Sequence, residues 1–212
     1  LVVISIGRVP STVAEMIAAL HGLPTFAVCF LLLARIWLSH RDYSRYYDLE
    51  DGTVLVLSLV LVFVVLVYVY PLRMLFAQMF LGFSGGRLSD GSVTPLKSTA
   101  ELRSAYVVFG LGLGAISVVF ALLQRHALVH ARKIGLDPGE VLWTRMKLCN
   151  WLEQLALCVV SIALACRLPM ENMLTMTLPG FVYATSAITR MLIARHFRRR
   201  LCGDPRAIAH DG

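Results

Sequence analysis

The chain has 212 residues, 58% hydrophobic and 16% charged, with a formal net charge of +7 and a mean hydropathy of +0.72. A soluble domain carries about 45–50% apolar and about 25% charged residues, so this composition leaves too little polar surface to cover a water-soluble core of this length. The basic excess does not point to nucleic acid either. There is no zinc-finger spacing, no RNP-like motif and no interleaved basic–aromatic patch, and Lys and Arg gather between hydrophobic runs, where lipid headgroups would meet them.

Leu1–Ile6 is apolar but too short to span a bilayer, which takes about 20 residues. It reads as the C-terminal remnant of a first helix, stopped by Gly7, Arg8 and Pro10. Ser11–His21 has the pattern of a short amphipathic helix, with Ser11 or Thr12 as cap and Glu15 in the first turn. The next apolar run, about 23–38, gives way to Ser39-His40-Arg41 and a polar, tyrosine-bearing stretch at 42–51 expected to be a loop. Residues 53–70 are almost pure Val and Leu. In water these β-branched residues favour strand, but in lipid a lone strand leaves its backbone unpaired, so a helix is expected. Pro71 and Arg73 should end or kink it, with 74–83 continuing it or lying along the interface.

A Gly- and Ser-rich connector, 82–99, leads to an apolar run at about 102–123. Within that run, Gly110 and Gly114 have the GxxxG spacing that lets membrane helices approach closely. Residues 124–147 are basic and are expected to extend the helix before turning at Gly135-Leu136-Asp137-Pro138. Two further runs follow, at about 148–168 and 173–194, and then a basic end whose last part, 201–212, is expected to be a disordered cytoplasmic tail. The reading is thus an all-α polytopic membrane protein, a single transmembrane helical domain over 1–200. It would have five complete transmembrane helices plus the remnant of a first. Lys and Arg number twelve on the side of 39–52, 124–147 and the tail, against six opposite. The positive-inside rule therefore places the C-terminus in the cytoplasm.

Few residues in the spans carry chemistry. Arg35 and Arg190 each lie about a turn from a basic helix end and are expected to snorkel to headgroups. Asn150 and Glu153, one turn apart at the mouth of the fifth segment, suit interhelical hydrogen bonding or, in the sharper reading, concentration of cations at a pore entrance. His126 and His130 share a helix face. The residues between them hold no HExxH glutamate, and no third ligand stands nearby in the sequence, so no metal is expected. The cysteines, Cys29, Cys149, Cys158, Cys166 and Cys202, form no CxxC pair and suit buried small hydrophobes. No Ser/His/Asp set, carboxylate pair or phosphate loop occurs, so no enzyme activity is expected. The TVGYG filter of ordinary potassium channels is absent too.

The stretch LVVISIGRVPSTVAEMIAALHGLPTFAVCFLLLARIWLSHRDYSR resembles the transmembrane-protein-175 family, potassium channels of lysosomes and bacteria. The likeness rests on Ile6, Val9 and Pro10 at a helix exit, a short helix, then Trp37, His40 and Arg41, and on a leucine-rich helix closing on Pro71. It covers about residues 1–75; the later segments agree in number and placement. The resemblance implies a six-helix subunit, a tetramer in prokaryotic members, with a potassium-selective pore lined by the first helix. K⁺ would be the permeant ion, with no cofactor, and the partners would be the bilayer and further copies of the chain. Leu1, Ile4 and Ser5 would be the pore-lining candidates. Trp37, His40 and Arg41 would organise the cytoplasmic helix ends near the pore, with Asn150 and Glu153 as vestibule candidates. The family's Arg-x-x-x-Phe-Ser-Asp signature is not in this chain; Phe83-Ser84-Gly85-Gly86 is a fragment of it without the Asp. A non-conducting membrane scaffold or assembly partner is therefore the competing expectation. Short loops favour a bacterial plasma membrane.

Overall fold

The computed structural model describes residues 12–49, 51–85, 98–169 and 172–202. Every regular element among them is helical: α1 (Val13–His21), α2 (Leu23–Tyr47), α3 (Gly52–Ser84), α4 (Thr99–Val129), α5 (Pro138–Arg167), α6 (Met173–Phe181), a 3₁₀ turn (Val182–Thr185) and α7 (Ser186–Cys202). Leu1, Ile4 and Ser5, and the tail beyond Cys202, lie outside the described residues.

Local chemistry sets the helix ends. Asp51 caps α3, its carboxylate accepting from the Val54 amide at 2.9 Å, and Ser98 caps α4 through the Ala100 amide at 3.1 Å. At α5, Asp137 and Glu140 form a reciprocal capping box with Pro138 in the first turn. α3 ends at Gly85, whose φ of 58° is the left-handed conformation that glycine adopts without cost.

The helices run longer than the hydrophobic runs suggest. α2 continues through the stretch expected as a loop and ends only at Tyr47. Tyr43 and Tyr47, four apart, are both buried with their rings 4.9 Å apart and tilted by 49°, so they extend the packed face of the helix instead of leaving it. α3 passes through Pro71 to Ser84, so Phe83-Ser84 closes a helix instead of lying in the connector. α4 and α5 extend to Val129 and back to Pro138.

The run at 173–194 also departs from expectation. Pro179 and Gly180 fall inside it, and the chain passes from α-helix into the 3₁₀ turn before resuming as α7. Proline removes the amide that would continue the ladder. The Ser161 hydroxyl of α5 donates to the Pro179 carbonyl at 2.8 Å, a buried bond at the break. Among the described residues, four helices are individually long and apolar enough to cross a membrane: Leu23–Tyr47, Gly52–Gly82, Thr99–Val129 and Pro138–Arg167.

α4 is the centre of the bundle. Ile116, Phe120, Leu123 and Ala127 are fully buried, and Phe120 stacks on Trp151 of α5 at 4.2 Å with the planes 6° apart. α3 packs on the other side of α4, α2 packs on α3, and α6 and α7 pack against α5. The glycine run serves two neighbours. Gly110 and Gly114, on one face, meet Ile162, Leu155 and Cys158 of α5, while Gly112, on the opposite face, receives the ring of Tyr68 from α3.

Candidate functional site

The C-terminal half of α2 carries the first group of residues. Trp37 stacks on His40 at 5.7 Å, and His40 Nε2 lies 2.8 Å from the Ser58 hydroxyl of α3. Ser58 itself donates to the Val54 carbonyl at 2.7 Å. With that proton committed, the His40–Ser58 bond needs the imidazole Nε2–H as donor. Arg41 turns away from this pair, bonding Asp42 at 2.8 Å. Trp37 remains 60% exposed, on a helix whose Phe30, Leu31 and Leu38 are also exposed. So one tryptophan is fixed by its neighbour yet left uncovered within the chain.

Behind α2 lies a partly open cavity of about 490 Å³ bordered by α2, α3, α4, α5 and α7. Arg35 and Asp42 line it from α2, Lys147, Asn150 and Gln154 from α5, and Arg190 from α7. Among the described residues, Asn150 Oδ1 and the Tyr68 hydroxyl are buried with no hydrogen-bond partner, and both residues border this space. A cavity with such a lining accommodates water.

Arg190 does not reach for headgroups as expected. Its guanidinium donates to Gln154 Oε1 at 2.7 Å and stands 3.6 Å from the Glu153 carboxylate. Thr189 donates to the other Glu153 oxygen at 2.5 Å. Glu153 has only 12% side-chain exposure, and a buried carboxylate demands a nearby cation and donors. That demand decides the direction of Arg190. Glu153 is therefore spent within the bundle, not free at an open mouth.

Below the cavity a second junction joins three helices. Tyr47 of α2 bonds Gln124 of α4 at 3.1 Å and Thr144 of α5 at 2.8 Å, all three buried. Tyr46 donates to Glu140 at 3.1 Å, and Lys147 lies over the rings of Tyr46 and Trp143. None of these partners stood out in the sequence, because tyrosine and glutamine near a helix end have the composition of an interface as much as of a junction.

The structure thus joins Trp37 to His40, and places Asn150 on the cavity and Glu153 beside it. It leaves Arg41 on the surface. Arg35, Lys147 and Arg190 line the cavity together with Asp42, and Arg190 is paired with Glu153.

No family model matches the chain. It is 30% identical over 178 residues to a protein named "Potassium channel" from Marivirga tractuosa, covering 82% of this chain and 72% of that protein. It also superposes on a crystal structure of a variant of the potassium channel MtTMEM175, solved with a nanobody–MBP fusion. The TM-score is 0.78 at 28% identity, over 93% of this chain and 87% of that one.

The chain belongs to the TMEM175 family. The likeness seen in residues 1–75 therefore extends over most of the molecule, including α4, α5 and the broken α6–α7 run, where no motif was recognisable. In this TMEM175 member, Trp37 leaves one face of α2 uncovered within the chain.

Proposed function

We propose that this chain is one subunit of a potassium channel that carries passive K⁺ flux across a membrane. The single observation behind the proposal is the relative named as a potassium channel, 30% identical over 82% of this chain; the fold shared with a second such channel supports it. The path for K⁺ runs between subunits of a homo-oligomer, along a surface to which the segment containing Leu1, Ile4 and Ser5 contributes. The exposed α2 face favours this over a path within one subunit, because it offers a surface for a neighbouring helix.

The broken run from Met173 to Cys202 serves as the fifth complete span. Its hydrophobic part has the necessary length, and Ser161 donates to the Pro179 carbonyl at the break. The end of the bundle rich in Lys and Arg, formed by 39–52, 124–147 and the C-terminus, faces the cytoplasm, in a bacterial plasma membrane.

The test is a flux measurement with the full-length protein in liposomes loaded with K⁺, with counter-flux reported by a pH-sensitive dye. The expected result is dissipation of a K⁺ gradient and a markedly slower response to Na⁺. Equal permeation of both ions would overturn the potassium-channel reading, and no permeation would replace it with that of a membrane scaffold.

A further inference from the structure

Asp51, His126 and His130 come together from the two ends of a helix pair. Asp51 stands before α3, and the histidines occupy the last turn and the C-cap of α4. One ligand atom from each residue lies within 4.8 Å of the others. His126 Nε2 is 2.6 Å from Asp51 Oδ2, and the two imidazole rings are 4.3 Å apart.

We propose that these three residues form a binding site for a divalent transition-metal ion of the zinc type, with nitrogen and oxygen donors and one position left for water. The donor set of two imidazoles and one carboxylate is what such ions select, whereas Mg²⁺ and Ca²⁺ prefer oxygen throughout. The surroundings already orient the ligands. His130 Nδ1 is 3.0 Å from the His126 carbonyl. A carbonyl only accepts, so Nδ1 carries the proton and Nε2 the free lone pair, the arrangement by which metal-binding histidines are held. Asp51 Oδ1 is engaged by the Val54 amide, leaving Oδ2 as a fixed monodentate oxygen. His126 side-chain exposure is 14% and that of Asp51 37%, so the site is half-buried yet open to water.

Binding exchanges one hydrogen bond for metal bonds. The proton shared by His126 Nε2 and Asp51 Oδ2 leaves to solvent, and the ion takes its place, widening the 2.6 Å contact to roughly 3.3 Å, the separation of two ligands about 2.0 Å from a tetrahedral ion. The ion would then tie the start of α3 to the end of α4.

The experiment uses the full chain, purified in detergent with no affinity tag, stripped with chelator and titrated with Zn²⁺, then with Co²⁺. The expected results are one Zn²⁺ bound per chain, no competition from Mg²⁺, and at least about a tenfold loss of affinity in Asp51→Asn and in His126→Gln. In the unaltered protein, bound Co²⁺ should show visible d–d bands without the near-ultraviolet thiolate band. That spectrum needs no variant to fold, and it separates this site from one made by cysteines. Absence of stoichiometric binding, a thiolate band, or unchanged affinity in a folded Asp51→Asn/His126→Gln double variant would each overturn the proposal.

Discussion

The ring of Tyr68 lies over the backbone of Gly112, in the space that any side chain at that position would fill. Tyr68 is buried and also contacts Phe109, one ring at 5.8 Å, so it has no room to withdraw. Gly112→Ala should therefore force α3 and α4 apart, at a cost of about 1–3 kcal/mol from overpacking. At Gly114 an added methyl meets Leu155 and Cys158 at ordinary contact distances of 3.6 and 3.7 Å. There the gain in helix propensity, up to about 1 kcal/mol, should leave Gly114→Ala neutral or stabilising. Thermal unfolding of the two variants in detergent checks the ordering; equal melting temperatures would contradict the packing described.

Replacing Arg190 by Met removes the cation beside Glu153 and the donor to Gln154. The carboxylate then stays in its half-enclosed place with Thr189 as its remaining partner. A loss of about 1–3 kcal/mol is expected, the typical cost of stranding a buried polar group. Adding Glu153→Gln should recover part of that loss, since the unpaired charge goes with it. A double-mutant cycle by chemical denaturation measures the coupling, and strict additivity would mean that the two side chains act independently.

Asp51 is subject to protons as well as to packing. The Val54 amide first, and His126 second, hold its carboxyl below the ordinary carboxylate range. A group with a lowered folded-state pKa adds stability that is present above its unfolded value and is lost as the pH falls through the folded value. In metal-free buffer, the gap in melting temperature between the protein and Asp51→Asn should be present near about pH 6 and narrow towards about pH 3. A gap that persists unchanged in acid would show that the charge on Asp51 does not support the cap.

Trp37 tests assembly. Being 60% exposed within the chain, it contributes little to the fold of one subunit, and Trp37→Ala should change the stability of that fold by no more than about 0.5 kcal/mol. Its loss should show instead in the fraction of oligomer seen by native mass spectrometry and in K⁺ flux from liposomes, both reduced. Full flux and an intact oligomer would mean that lipid, not a neighbouring helix, covers this face.

Much of the helical plan was readable before the structure, and the reasons are local. Apolar runs of spanning length announce helices because a lipid-facing backbone has no other way to pair its amides. The Gly110/Gly114 spacing announces a close contact because small residues remove the obstacle to it. The extent of α2 is not legible in the sequence because Tyr43 and Tyr47 have loop composition; both are buried, and Tyr47 is held by Gln124 of α4 and Thr144 of α5. The site residues were legible in type but not in role. Arg190 looked like an anchor, and only Glu153, on another helix, explains where it points. His126 and His130 looked like a pair without a third donor, because Asp51 stands 75 residues earlier in the chain.

α3 shows where the division falls. Its composition alone determines that it lies in a bilayer, since no aqueous surface could be made of Val and Leu at this density. Which side of it meets protein is another matter. Val54, Leu61 and Tyr68, seven apart, are buried, while Leu55, Leu59, Phe63, Leu66 and Tyr70 are exposed, and nothing in their hydropathy separates the two sets. In water, a polar stripe would mark the outer face; in lipid both faces are apolar and the transfer energy between them vanishes. The choice falls to shape, to a tyrosine that fits a glycine, and that is decided only when α3 and α4 meet.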